Sequence, residues 1–303
     1  MKWPPLSYAG WRDTCETLQL WMQIVGKIRM EKSPSVNHWW HVTLYVTSRG
    51  LGTSPIPNDG GTFEIEFDFI AHRLMITTSG GDTRGFELRS MSVADFYQTV
   101  IDALASLKIA VKIDTMPSEV TDPVPFEKDR QHKSYDPEAA SRFWNVLVPV
   151  CQVMTQFRSR FIGKVSPVHF FWGGFDLAVT RFSGRVAPVH PSIPGLRDSM
   201  VREAYSHECS SVGFWPGGPN SDTTFYSYAY PEPDGYPNAA VKPAAAFYSN
   251  DLHEFMLPYD AVRTASSPPD TLLKFFQSTY DAAADLGRWP RAQLERRSSH
   301  GVA

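Results

Sequence analysis

From Phe143 to Phe161, large apolar side chains recur at intervals of four, three, four, three and four residues: Phe143, Leu147, Val150, Met154, Phe157 and Phe161. An α-helix brings such a series onto one side, and so narrow a seam needs a packing partner along its whole length. Asp136 can cap this helix, and Pro137 falls in its first turn, where a missing N–H does no harm. Pro149 should kink it and Gly163 should end it. The stretch that follows, Val165 to Arg185, is strand-like and sets His169, Asp176, Arg181 and Arg185 among apolar residues. The pair Gly173-Gly174 within it points to a bulge, or to a close approach by another backbone or a ligand. A bulge there would turn His169 and Asp176 inward.

The earlier part of the chain follows a similar plan. A first helix is expected from about Trp11 to Met30, capped by Asp13 with Glu16 in a capping box. Leu18, Trp21, Val25 and Ile28 give it one buried stripe. A strand from His38 to Thr47 comes next. Then Phe63, Ile65, Phe67 and Phe69 alternate with Glu64, Glu66 and Asp68, a strand with one solvated face that pairs with Leu74–Thr78 as a hairpin. A strand near Gly85, a helix from Ser92 to Leu107, a strand from Ala110 to Ile113 and a polar connector to Lys133 complete the first half. Beyond Arg185, strands are expected at 210–215, 223–230 and 245–249, with a last helix from Asp270 to Leu286.

Phe96–Leu107 lines up with Phe275–Leu286, and His38-Trp39-Trp40 with His169-Phe170-Phe171. The expected architecture is α+β: two related halves, 1–133 and 134–289, each helix, antiparallel strands and helix, packed as an internal pseudo-duplication. Residues 290–303 are expected to be a flexible tail. Trp3 through Trp21, His38 through Thr43 and His169 through Arg185 resemble a bacterial family filed as domain of unknown function 5996. The resemblance runs to about Trp289 and implies one family-length unit; it brings no activity, cofactor or catalytic residue with it.

A formal net charge of -3 argues against nucleic-acid binding, which needs clustered excess Lys and Arg. No apolar run approaches membrane length, and the opening lacks a basic-then-apolar signal, so a cytosolic location is expected. Cys15, Cys151 and Cys209 are too far apart for a metal knuckle, and no disulfide scaffold is expected.

His169 and Asp176 are the leading catalytic candidates, because an inward polar group in an apolar strand needs a partner. The run Ser206-His207-Glu208-Cys209 is the richest source of one, although adjacent strand residues such as His207 and Glu208 point to opposite faces. Read plainly, that run is a polar loop leading into a strand. Trp172, Trp215, Tyr226 and Tyr228 could line a pocket for a planar or sugar-like ligand, with Arg181 or Arg185 at its rim to take a carboxylate or phosphate. His169, Trp172, Asp176, His207 and Glu208 are expected to converge on one cavity. The function expected is binding of a small organic ligand, with its conversion left open. Two alternatives stand beside it: a metal enzyme using His169, His207 and His253 together with Glu208 or Glu254, and an interaction module without a ligand. No metal site is assigned, the cofactor is unknown, and neither nucleic acid nor membrane is expected as a partner.

Overall fold

The computed structural model describes residues 2–296. The first half opens with α1 (Arg12–Lys32), followed by β1 (Tyr45–Val46), β2 (Gly50–Gly52), β3 (Ile56–Asn58), β4 (Gly61–Asp68), β5 (Arg73–Thr78) and β6 (Thr83–Glu87), then α2 (Val93–Ser106). The second half begins with α3 (Pro137–Ser159), β7 (His169–Phe171), β8 (Asp176–Val186), α4 (Asp198–Ala204), β9 (His207–Trp215) and β10 (Thr224–Tyr230). It closes with β11 (Phe247–Ser249), β12 (Glu254–Pro258), α5 (Tyr259–Arg263), α6 (Pro268–Leu286) and α7 (Arg291–Leu294).

The strands form two antiparallel sheets, ordered β1-β2-β4-β5-β6 and β11-β12-β10-β9-β8-β7, with β3 continuing the β2 edge of β4. The two sheets meet edge to edge. Leu44 donates its N–H to Phe170 at 2.9 Å, and Phe170 donates back to Leu44 at 2.8 Å. One hydrophobic cluster extends through both halves. The α3 seam lies at its centre, with Phe143, Leu147, Val150, Met154 and Phe157 all fully buried. Helix starts follow the sequence at α2, where Ser92 accepts from Asp95 N–H, and at α3, where Asp136 accepts from Glu138 and Ala139 N–H.

Helix α1 is buried nearly all round from Thr14 to Arg29, not along one stripe. Its polar positions are consequently used inside. Gln19, Gln23 and Lys27, four residues apart on one side, each donate to a carbonyl: Gly173 at 2.7 Å, Ser118 at 2.8 Å and Met116 at 2.6 Å. Ser118 N–H donates back to Gln23 Oε1 at 2.8 Å. This ladder straps the connector between α2 and α3 onto the helix. Asp13 lies within α1, and no side chain caps its start.

Other expectations change too. Residues 37–39 form a 3-10 turn with His38 and Trp39 at φ 57° and 62°, so the strand there shrinks to Tyr45–Val46. A left-handed backbone cannot continue a β-ladder. His38 is therefore not at a strand start matching His169. The expected strand at Ala110–Ile113 is irregular connector. Val165–Arg185 is not one bulged strand: Trp172–Phe175 form the turn of the β7–β8 hairpin. Strand β12 was not anticipated. The first part of the expected tail is tied to the body: Arg291 pairs with Asp281, Asp285 and Glu295, and Ile162 N–H donates to Leu294 at 2.7 Å. The rest of the expected tail, 297–303, lies outside the described residues.

Gly26 lets Trp172 lie flat on α1, where its indole N–H donates to Val42 at 2.7 Å. A β-carbon at Gly26 would sit 2.1 Å from Trp172 Nε1. Gly26→Ala should therefore destabilise by about 1–3 kcal/mol in urea unfolding, as overpacked cores do. An unchanged midpoint would mean the contact between the two halves is not tight.

Candidate functional site

Alternation along β8 sends Leu177, Val179 and Arg181 to one face and Asp176, Ala178, Thr180 and Phe182 to the other. Helices α3 and α6 pack on the first face. The second face is bordered instead by irregular chain: the 37–41 turn, where His38 meets Phe182, the α2–α3 connector, and the β8–β9 loop carrying His190 and Tyr205. Solvent reaches Asp176, Thr180, Tyr226 and Tyr228, each half-buried, while protein crowds them from the sides. The result is a trough.

Its central feature is a tyrosine that crosses a strand. Tyr226 on β10 is separated from β8 by β9, and the residue opposite it on β9 is Gly213. A β-carbon at Gly213 would lie 2.1 Å from Tyr226 Cζ, so the ring occupies the space a side chain would take. The phenol thereby reaches β8 and donates its O–H to Asp176 Oδ2. Tyr228 stacks beside it at 6.2 Å between centroids and 16° between planes, and its hydroxyl meets that of Tyr205 at 3.1 Å. Thr180 and Ser211 share a hydroxyl bond of 2.9 Å on the trough floor.

Two further carboxyls join Asp176. Glu119, on the strapped connector, lies against the hairpin turn: a β-carbon at Gly173 would be 1.9 Å from its Oε1. The glycine pair does mark a close approach, and the approaching group is Glu119. A β-carbon at Gly174 would sit 2.9 Å from Asp176 Oδ1 and 3.8 Å from Glu119 Oε2, so both carboxyls share that space. Glu254 opens β12 on the same side. Burial pushes the Asp176 carboxyl up to about 6, against the Tyr226 hydrogen bond. Burial, then the charge of Asp176, pushes Glu254 up to about 7, and Glu119 shifts the same way for the same causes, damped by the solvent that reaches its exposed side. Among the described residues, none of the three is in an ion pair.

His169 stands on the same face, on the rung His169–Ala178–Gly213–Tyr226. It is 1% exposed and ringed by Trp40, Tyr45 and Phe171. Tyr45 Oη lies 3.5 Å from its Nε2, and its Nδ1 has no partner. Burial, reinforced by Arg29 and Arg158, pushes its pKa down to about 3, so the ring is neutral.

The other expected site residues go elsewhere. Trp172 is locked against α1. Arg181 is not at a rim: it is buried in the core between Phe157 and Tyr280, with its guanidinium on the Phe157 carbonyl. Glu208 falls on the opposite face of β9, where it accepts from Ser183 at 2.8 Å and pairs with Arg185 at 2.6 Å. Arg185 also donates to Gly287 at 2.6 Å, tying β8 to the end of α6, so neither forms part of the trough. His207 begins β9 rather than ending a loop, with its Nδ1 3.0 Å from Ser206 Oγ and its ring 6.0 Å from that of His38. Trp215 ends β9 on the trough face, half-buried. Of the five residues expected to converge, His169 and Asp176 lie on the trough face, while Trp172 and Glu208 do not. Among the described residues no three His, Cys, Asp or Glu stand close enough to share a metal ion. Two open grooves lie elsewhere, and their carboxylates are already paired, Asp95 with Arg130 and Asp281 and Asp285 with Arg291.

The architecture defines an α+β protein of two edge-joined antiparallel sheets, with a carboxyl- and tyrosine-lined trough on the second. A family profile described as "Family of unknown function (DUF5996)" matches residues 3–296, and the chain belongs to that family. No curated protein and no solved structure matches it.

The raised carboxyls have a signature in stability. A folded-state pKa above the unfolded value gives stability that is full at low pH and lost as pH rises through the folded pKa. For Glu254 that loss runs from its ordinary value of 4.5 up to about 7. Buried neutral histidines such as His169 act oppositely, below their ordinary pKa, so the window above about pH 6.5 is the cleaner one. The melting temperature should fall from about pH 6.5 to pH 8 in the wild type and fall less in Glu254→Gln. Parallel curves would show that Glu254 titrates normally.

Proposed function

We propose that the protein binds a small organic molecule in the trough on the second sheet. The observation that carries this reading is Tyr226 laid across Gly213 to bond Asp176, with Tyr228 stacked beside it, on a face that solvent reaches. Rings and carboxyls that served packing alone would be covered; here one edge of each stays wet, as in binding sites with a few polar groups among aromatic walls. Conversion of the ligand would fall to Asp176, a carboxyl raised to about 6 beside Tyr226. The unpaired cysteines, Cys15 and Cys209 among them, support a reducing, cytosolic compartment. A common origin of the halves is part of the same proposal. It is supported by the plan of helix, antiparallel meander and helix on each side of the Leu44–Phe170 junction; the order of β11 and β12 departs from it.

A fragment screen by thermal shift tests the reading. Compounds that stabilise the wild type should lose their effect in Tyr226→Ala and in Gly213→Ala, which evicts the ring without touching a polar group. Stabilisation that survives both substitutions would place the binding elsewhere and remove the proposal.

A further inference from the structure

We propose that Lys164 is a nucleophilic amine that forms an imine with an aldehyde or ketone, and that His38 is the base that carries its protons. This second site does not depend on the reading above: along β8, Phe182 lies about 20 Å from Asp176. Lys164 stands between α3 and β7, where Phe182 N–H donates to its carbonyl at 3.0 Å and fixes its backbone against β8. Its amine lies 2.6 Å from His38 Nε2, 5.1 Å from the Phe182 ring centre and 5.5 Å from that of Trp40. The side chain is open to solvent, whereas His38 is 5% exposed, so the nucleophile is reachable and its base is enclosed. The imidazole is presented by a backbone with two successive left-handed residues, His38 and Trp39, at φ 57° and 62°. Such strain in side-chain-bearing residues gathers where a site needs a particular placement.

The partners fix which way the pair is protonated. His38 Nδ1 lies 2.9 Å from the Ala204 carbonyl, which can only accept, so the ring proton rests on Nδ1 and Nε2 turns a lone pair to the amine. A surface lysine ordinarily pairs with a carboxylate, yet among the described residues none pairs with Lys164. A neutral base in place of a counter-ion suits an amine that must attack rather than stay charged. Partial burial lowers the pKa of that amine, to an extent limited by the solvent on its open side. Burial lowers that of His38 against its hydrogen bond to Ala204, helped by Lys164 and His207. The step balances without any further reactant. Nζ attacks the carbonyl carbon and the C–N bond forms. His38 Nε2 takes a proton from nitrogen and returns it to the oxygen; the second proton follows the same route. The oxygen then leaves as water while the C=N bond forms, and nothing is oxidised or reduced. Trp40 and Phe182 favour a ligand with an aromatic or apolar body beside its carbonyl, and their faces hold the charge of the protonated imine.

The test treats the whole chain with benzaldehyde and sodium cyanoborohydride, which reduces imines to stable amines, and maps the labelled lysines by peptide mass spectrometry. Lys133 and Lys242, both exposed, serve as internal references. At pH 7 Lys164 should be labelled about tenfold or more faster than either. His38→Gln should bring Lys164 down to the reference rate and leave Lys133 and Lys242 unchanged. From about pH 6 to pH 9 the reference rates should climb throughout, while that of Lys164 levels off earlier. The other titratable groups about the pair are His207 on β9, Glu203 on α4 and His41 on the same turn. A levelling that His207→Gln removes would belong to His207 and count against the proposal. If His38→Gln does not fold, the wild-type comparison of Lys164 with the two references decides alone. Labelling of Lys164 at the reference rate would overturn the proposal. Fast labelling that persists in folded His38→Gln would remove His38 as the base and overturn the pair. Selective acetylation of Lys164 by phenyl acetate, without selective labelling by benzaldehyde, would make it an acylation site and overturn the imine.

Discussion

Two backbone hydrogen bonds between Leu44 and Phe170 decide where nearly everything else in this molecule can sit. Each half has a sheet whose inner edge, β1 or β7, would otherwise offer unpaired N–H and C=O groups to any passing strand. Joining the two edges satisfies both. It also sets Tyr45 beside His169 and carries the β7–β8 turn to α1, where Trp172 meets Gly26 and Gln19 takes the Gly173 carbonyl. The connector that presents Glu119 is then fixed by Gln23 and Lys27 of the same helix. The trough is thus built from both halves, though its floor belongs to one.

Much of the fold was legible because periodicity is a local property. The α3 seam, the β4 alternation and the Asp136 cap each depend on spacing within a few residues, and each is found where spacing puts it. The misses arise where tertiary contacts override local preference. Nothing in His38-Trp39 announces a left-handed turn, and the pattern on either side of it does suit a strand. In α1, Gln19, Gln23 and Lys27 have the look of a solvent face, because a buried polar ladder and an exposed one have the same sequence signature.

For the candidate site, the logic that an inward polar group needs a partner pointed to His169 and Asp176, and the alternation of β10 to Tyr226 and Tyr228; all four lie on one sheet face. It failed for Arg181 and Glu208 for one reason. Strand alternation tells which residues share a face, but not which face the helices cover. Glu119 lay beyond that reasoning, since an irregular connector has no period; only the Gly173-Gly174 pair hinted that something approached there. The crowding of its carboxyl against Asp176 opposes the stability that the rest of the core supplies. Natural proteins tolerate such local conflict chiefly where a site needs it.

The ties made by the N-terminal segment span almost the whole chain. Tyr8 N–H donates to Asp222 at 2.8 Å, and the Tyr259 hydroxyl donates to the Pro4 carbonyl at 2.8 Å. Between them lies α1, a helix apolar or inward-facing on nearly every side. A ribosome synthesising this protein releases that helix early and its last partners very late, so for most of synthesis a sticky surface has no lasting cover. The nascent chain is then a natural client for chaperones, and its yield in cells should depend on them more than its final stability would suggest.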